Sequence, residues 1–110
     1  MAAIANYVID QGTSFSSAIT VRGSDGNPLD LTDYTASAKM ALGYASTRTR
    51  TTITTTINDP TSGVVALSLT ANQTAALDAP ARYVYDVDIT ASDSTVTRVI
   101  EGIMTIRPNV

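Results

Sequence analysis

Val65, Leu67 and Leu69 alternate with smaller or polar residues, and Tyr83, Tyr85, Val87 and Ile89 repeat the same spacing. A period of two places one face of each segment in a core and the other toward solvent, so both read as half-buried antiparallel strands. The same pattern runs through the rest of the chain. A first strand is expected from about Ile4 to Gln11, ended by Gly12, and a second from Thr13 to Arg22 with Phe15, Ser17, Ile19 and Val21 on one face. Gly23 to Pro28 is dense in turn formers and predicts a reversal. Leu29 to Tyr34 then reads as a crossing segment that plugs the core with Leu29, Leu31 and Tyr34.

A third strand follows, with Tyr34, Ala36, Ala38, Met40 and Leu42 inward, and a fourth from Thr49 to Ile57, with Ile53 and Ile57 inward and threonines outward. Its threonines, with Arg48 and Arg50 at one end, mark this fourth strand as a candidate sheet edge. Asn58 to Gly63 is a turn cluster. After Leu69, Thr70-Ala-Asn-Gln73 has the spacing of a capping box, and the helix formers Ala75, Ala76 and Leu77 come next, so one short helix is expected near residues 70–77. Pro80 stops it. The last pair of strands covers Arg82 to Ala91 and Val96 to Arg107, and Gly102 inside the second marks a bulge or a close backbone approach. Short strands at regular intervals predict an all-β fold, an immunoglobulin-like antiparallel β-sandwich of about seven strands. Residues 1–110 form a single domain, with residues 1–6 a candidate N-terminal arm.

Composition agrees with strands and removes much chemistry. Thr, Ser, Val and Ile are abundant, while there is one Lys and one Glu. Neither Cys nor His occurs, so disulfides, thiol nucleophiles, thiolate metal sites and the usual general base are excluded. A net charge of −3 with scattered basic residues argues against a nucleic-acid partner. The N-terminus lacks the basic and apolar regions of a signal peptide, and no run is long enough for a transmembrane helix, so no membrane partner is expected.

The candidate chemistry is thin. Asp86 and Asp88 share a strand face about 7 Å apart, with Glu101 on the neighbouring strand. A glycosidase or calcium site can be drawn there, but an exposed strand lacks the pocket that separates two carboxyl pKa values, and a solvated face paired with Arg82 and Arg98 explains the same residues. Asp25, Asn27, Asp30 and Asp33 supply oxygen atoms without an EF-hand pattern and read as turn and cap residues. Asn72-Gln-Thr74 is a chance sequon match. Tyr83 and Tyr85 read as core, with the Tyr83 hydroxyl reaching back to the backbone after the helical corner, as a tyrosine corner does. No catalytic, cofactor-binding or metal-binding residue is assigned. Tyr7, Tyr44, Arg48 and Arg50 are the candidate interface residues.

Asp30-Leu-Thr-Asp-Tyr34-Thr, Gly63-Val-Val-Ala-Leu-Ser-Leu-Thr70-Ala-Asn-Gln-Thr74-Ala-Ala-Leu77, Arg82-Tyr-Val-Tyr85-Asp-Val87 and Arg98-Val-Ile-Glu101-Gly102 together carry a resemblance. Over about residues 4–108 the chain resembles small β-sandwich proteins of tailed-bacteriophage virions, in particular the N-terminal domain of baseplate upper proteins. The resemblance implies a non-enzymatic structural protein of the virion, assembled in the host cytoplasm: a tail, baseplate or fibre adaptor, or a capsid cement (decoration) protein. Its implied partners are other virion structural proteins and further copies of itself. Because the chain ends at Val110, a receptor-binding C-terminal domain is not expected. The alternative from another class is a carbohydrate-binding or adhesin-like module. With no Trp and its tyrosines alternating inward, a glycan partner is not expected.

Overall fold

The computed structural model describes residues 3–43 and 50–109. Eight strands and one short helix follow in chain order: β1 (Ala3–Ile4), β2 (Tyr7–Asp10), β3 (Phe15–Thr20), β4 (Thr35–Ala41), β5 (Thr51–Thr56), β6 (Val64–Leu69), α1 (Ala71–Ala75), β7 (Ala81–Thr90) and β8 (Val96–Arg107). A single 3₁₀ turn, Pro60–Ser62, fills the Asn58 to Gly63 connection. The strands form one curled sheet in the order β1-β8-β7-β4-β5-β6-β3, with β2 also on β8. Its two halves face each other as the layers of a sandwich. One layer is β1/β2-β8-β7-β4 and the other is β6-β3, an immunoglobulin-like connectivity in which the chain's last two strands and β4 share a layer.

Strand β5 joins the layers. Its first half pairs with β4, Ala38 opposite Ile53 and Met40 opposite Thr51, while its second half pairs with β6, Thr54 opposite Ser68 and Thr56 opposite Ala66. The fourth strand is therefore not a sheet edge, as its threonines suggested, but the corner where the sheet folds over. Those threonines have a different use. Where β5 leaves β4, the Thr55 hydroxyl donates to the Ala36 carbonyl at 3.0 Å and replaces the ladder bond that the departing backbone withdraws.

The core is built from the alternating positions. Val65, Leu67, Val87, Met104 and Ile106 are fully buried, and Leu31 from the crossing segment sits among them at 1% exposure. Leu42 is an exception to the expected alternation: β4 ends at Ala41, which turns inward, and Leu42 lies 41% exposed beyond it. Burial of this kind contributes about 25 cal/mol per Å² of apolar surface, which is the main force closing the two layers.

The N-terminal strand departs from the antiparallel expectation. Both β1 and β2 run parallel to β8, Ile4 opposite Glu101 and Val8 opposite Thr105, with a jog at Ala5 and Asn6 between them. Residues 3–6, part of the candidate arm, are thus docked on their own chain. At the jog the Tyr85 hydroxyl donates to the Ala5 carbonyl at 2.5 Å, the Ala5 N–H donates to the Glu101 carbonyl, and the Asn6 side chain accepts from the Ile103 N–H. Gly102 makes this approach feasible, since a Cβ there would lie 2.0 Å from the Ala5 carbonyl oxygen. The glycine marks a close backbone approach. The bulge lies three residues earlier, where Val87 pairs with Ile100 but Asp88 pairs with Arg98, leaving Val99 as the extra residue.

Helix α1 and its flanks tie the corner together. Thr70 and Gln73 form the expected capping box, each side chain serving the other's backbone N–H. Thr74 is fully buried, accepts from the Gly12 N–H and donates to the Thr13 carbonyl, so the helix is fastened to the β2–β3 turn. The Asp78 N–H donates to the Tyr83 hydroxyl at 2.8 Å, which is the backbone contact expected of a tyrosine corner.

Replacing Gly102 by Val is expected to destabilise the fold by about 3 kcal/mol, the upper part of the overpacking range, because the obstructing atom belongs to backbone. Urea unfolding measures the loss. Amide exchange at Ala5 and Ile103 should accelerate in the same variant, and unchanged exchange would show that the jog is held without the space at Gly102.

Candidate functional site

Where polar side chains gather, they do so on the outer face of β7 and β8. In β8 the even positions Ile100, Met104 and Ile106 point inward, so an unbroken strand would aim Arg98 into the core as well. The extra residue at Val99 shifts the phase by one and turns Arg98 outward. There its guanidinium lies 3.1 Å from Asp86, 4.0 Å from Asp88 and 3.9 Å from Glu101. One cation thus serves three carboxylates. All are partly solvated, which keeps each pair weak and makes the cluster a surface network. Arg82 takes no part in these ion pairs.

The electrostatics follow from this geometry. Burial, and next the neighbouring Asp86 carboxylate, push Asp88 above the usual carboxylate range, with Arg98 pulling the other way. On β2, the hydrogen bond from Arg107, 2.7 Å away, holds Asp10 below that range. Asp30 and Asp93 are lowered by hydrogen bonds from Thr32 and Thr95, the turn and cap chemistry expected of isolated loop acids. Asp25 likewise accepts from the Asn27 N–H. Among the described residues no group of three acidic side chains is arranged to hold a metal ion.

The aromatic residues are mostly committed to packing. Tyr83 and Tyr85 are buried at 6% and 2% exposure, and burial pushes the Tyr85 phenol well above its ordinary pKa. Tyr7, a candidate interface residue, is half-buried at the join of the two layers: its ring meets Phe15 edge-on at 5.4 Å and Tyr85 at 6.1 Å, and its hydroxyl accepts from Ser17. Arg50 is exposed and borders a shallow groove of about 240 Å³ with Lys39, Val84, Asp86 and Asp88. Tyr44 and Arg48 lie outside the described residues. The sequence placed Arg98 with Asp86, Asp88 and Glu101 on a solvated face, but it pointed neither to the bulge at Val99 that turns Arg98 outward nor to the role of Thr74, since both depend on contacts between distant segments.

No protein-family model matches the chain, and no curated protein sequence does. Among solved structures it is similar to an internalin-like protein of Listeria monocytogenes, at 14% identity and a TM-score of 0.45 over 98% of this chain and 28% of that one. It is also similar to a family 123 glycoside hydrolase from Clostridium perfringens, at 10% identity and a TM-score of 0.43 over 97% of this chain and 23% of that one. The chain spans about a quarter of the length of these structures. Neither similarity bears on what the chain does.

The acid cluster makes a signed prediction. A carboxyl whose pKa is raised by folding binds its proton more tightly in the native state, so its contribution to stability is present in acid and is lost as pH rises through the raised pKa. Asp88→Asn cannot ionise and is therefore expected to melt at a higher temperature than the parent at neutral pH. The advantage should disappear below the carboxylate range. Melting curves across pH check this, and a lower melting temperature at neutral pH would show that attraction to Arg98 outweighs burial and Asp86.

Proposed function

We propose that this chain is a non-enzymatic structural component of a tailed-bacteriophage virion, acting through protein interfaces as a tail, baseplate or fibre adaptor or as a capsid cement protein. The observation that carries the reading is the series of segments from Asp30 to Gly102 that resembles β-sandwich virion proteins over nearly the whole chain. Those segments are structural joints. Asp30 to Thr35 enters β4 from the crossing segment, Gly63 to Leu77 is β6 with its capped corner, and Arg98 to Gly102 holds the bulge and the seat of the N-terminal strand.

The side-chain chemistry is consistent with an assembly role. The best-placed carboxylates, Asp86, Asp88 and Glu101, are engaged by Arg98, and their partly solvated face lacks the enclosure that catalysis by paired acids requires. In this reading the partners are other virion proteins and copies of the chain itself, and the place of use is the assembled particle.

Quantitative mass spectrometry of purified particles tests the proposal. The expected result is a fixed number of copies per particle that persists through density-gradient purification and is matched by labelling at one location in electron micrographs. Particles free of the chain would overturn it, as would specific glycan binding or hydrolysis by the isolated protein.

A further inference from the structure

Charge is segregated between the two layers. Every charged residue in a described strand lies on β2, β4, β7 or β8, whereas β3, β5 and β6, six residues each, contain none. The outer face of that uncharged half is laid out in register: exposed Ser16 stands opposite Ser68 and Ser68 opposite Thr54, while Ala18 stands opposite Ala66 and Ala66 opposite Thr56. Depletion of charge is one mark of the centre of a protein interface, which is otherwise poor in the Ser and Ala that fill this face, so the case for pairing rests on the strand edge. In a chain of net charge −3 the depletion singles out one side of the molecule.

This half ends in an open edge. Among the described residues β3 is hydrogen-bonded to β6 on one side and to no strand on the other. The Val21 N–H donates to the Gly63 carbonyl at 2.7 Å, which fixes the phase of the ladder. By antiparallel alternation the backbone groups of Phe15, Ser17 and Ile19 point to β6, and those of Ser16, Ala18 and Thr20 point away from it. From Thr13 to Val21 the strand has no charge, no proline and no glycine, so it lacks the devices that ordinarily blunt an edge.

We propose that β3 pairs edge to edge and antiparallel with β3 of a second copy of this chain, about a two-fold axis that passes between Ala18 and the partner's Ala18. This register sets Ala18 against the partner's Ala18, and Ser16 against the partner's Thr20. Outward-pointing backbone groups meet outward-pointing groups in each pair, giving about six new ladder hydrogen bonds. Small exposed side chains adjoin small ones, and the half-buried Phe15 and Ile19 gain cover on the inner face. No charge lies within the paired β3 segments; the nearest, Arg22, falls opposite the partner's Ser14 at the end of the ladder. The opposite edge of the sheet is less suited: it is broken at Ala5 and Asn6 and ends in the Asp10–Arg107 ion pair. One strand pair buries a small area, so the dimer belongs to the weak, reversible class. The proposal stands on the edge and its register alone, independently of the virion reading.

Sedimentation equilibrium of the full chain over a concentration series tests it, together with Ala18→Lys, Ala18→Pro and, on the opposite edge, Val8→Lys. The parent is expected to pass reversibly from monomer to dimer. Ala18→Lys sets two like charges directly across the axis and should raise the dissociation constant by at least about tenfold. Ala18→Pro removes an outward N–H that serves no ladder bond among the described residues and should do the same. Val8→Lys should leave association unchanged. Circular dichroism and melting curves establish that each variant is folded, and if the proline variant is not, the lysine variant decides. In the parent, amides of Ser16, Ala18 and Thr20 should gain exchange protection as concentration rises. A parent that stays monomeric throughout, an Ala18→Lys variant that dimerises like the parent, or loss of the dimer through Val8→Lys alone would each overturn the proposal.

Discussion

A missing side chain at Gly102 decides where the first strand of this sandwich goes. With no Cβ there, the backbone at Ala5 lies directly against β8, and the buried Tyr85 hydroxyl holds its carbonyl. The N-terminal segment is thereby committed to the β8 side of the sandwich. That commitment adds β1 and β2 to one layer, and among the described residues no strand lies beyond β3 in the other. A side chain of any size at residue 102 would contest the docking, and the Tyr85 hydroxyl would need another acceptor in an apolar setting, where an unmade bond costs about 1–3 kcal/mol.

The remaining joints solve the same kind of problem, that of keeping backbone groups paired while the sheet bends. At β5 the strand changes partners midway, and a threonine hydroxyl takes over the carbonyl that the ladder abandons. At α1 a buried threonine answers both a donor and an acceptor of the β2–β3 turn. At Val99 an extra residue re-phases β8 so that an arginine faces water and three carboxylates. Among the described residues no buried side-chain polar atom is left without a partner. Polar satisfaction of this kind favours one arrangement of the strands over its neighbours in register.

These joints also explain what could be read from the residues alone. The alternation that buries Val65, Leu67, Tyr85 and Val87 is local, and so are the capping box at Thr70 and the turn chemistry of Asp25 and Asp30, so element types and core faces were legible. The tyrosine corner was legible too, because Tyr83 and Asp78 are five residues apart. What escaped depends on distant partners. Thr-rich β5 looked like an edge because outward threonines are the same whether a strand is an edge or a corner. The parallel course of β1 and β2 rests on contacts between residues nearly a hundred positions apart, and local pattern likewise does not reveal the packing of the Tyr7 ring against Phe15 and Tyr85. For the acids the expectation of a paired, solvated face was close, though Arg98 alone, and not Arg82, carries the pairing.

The division of charge bears on the dimer proposed above. Placing all charges of the described strands on one layer concentrates favourable hydration there and leaves strands β3, β6 and β5 without a charged side chain, with Asp59 in the adjoining turn. Such a surface gains little from water and loses little by leaving it. Specificity on it must come from backbone register and from the fit of small side chains. A neutral edge beside a neutral face suits repeated, symmetric contact, in which each copy presents the surface that the next copy accepts. In the dimer proposed above, the contact between copies runs through the main chain of β3, while Asp86, Asp88 and Glu101 share Arg98 on the other layer.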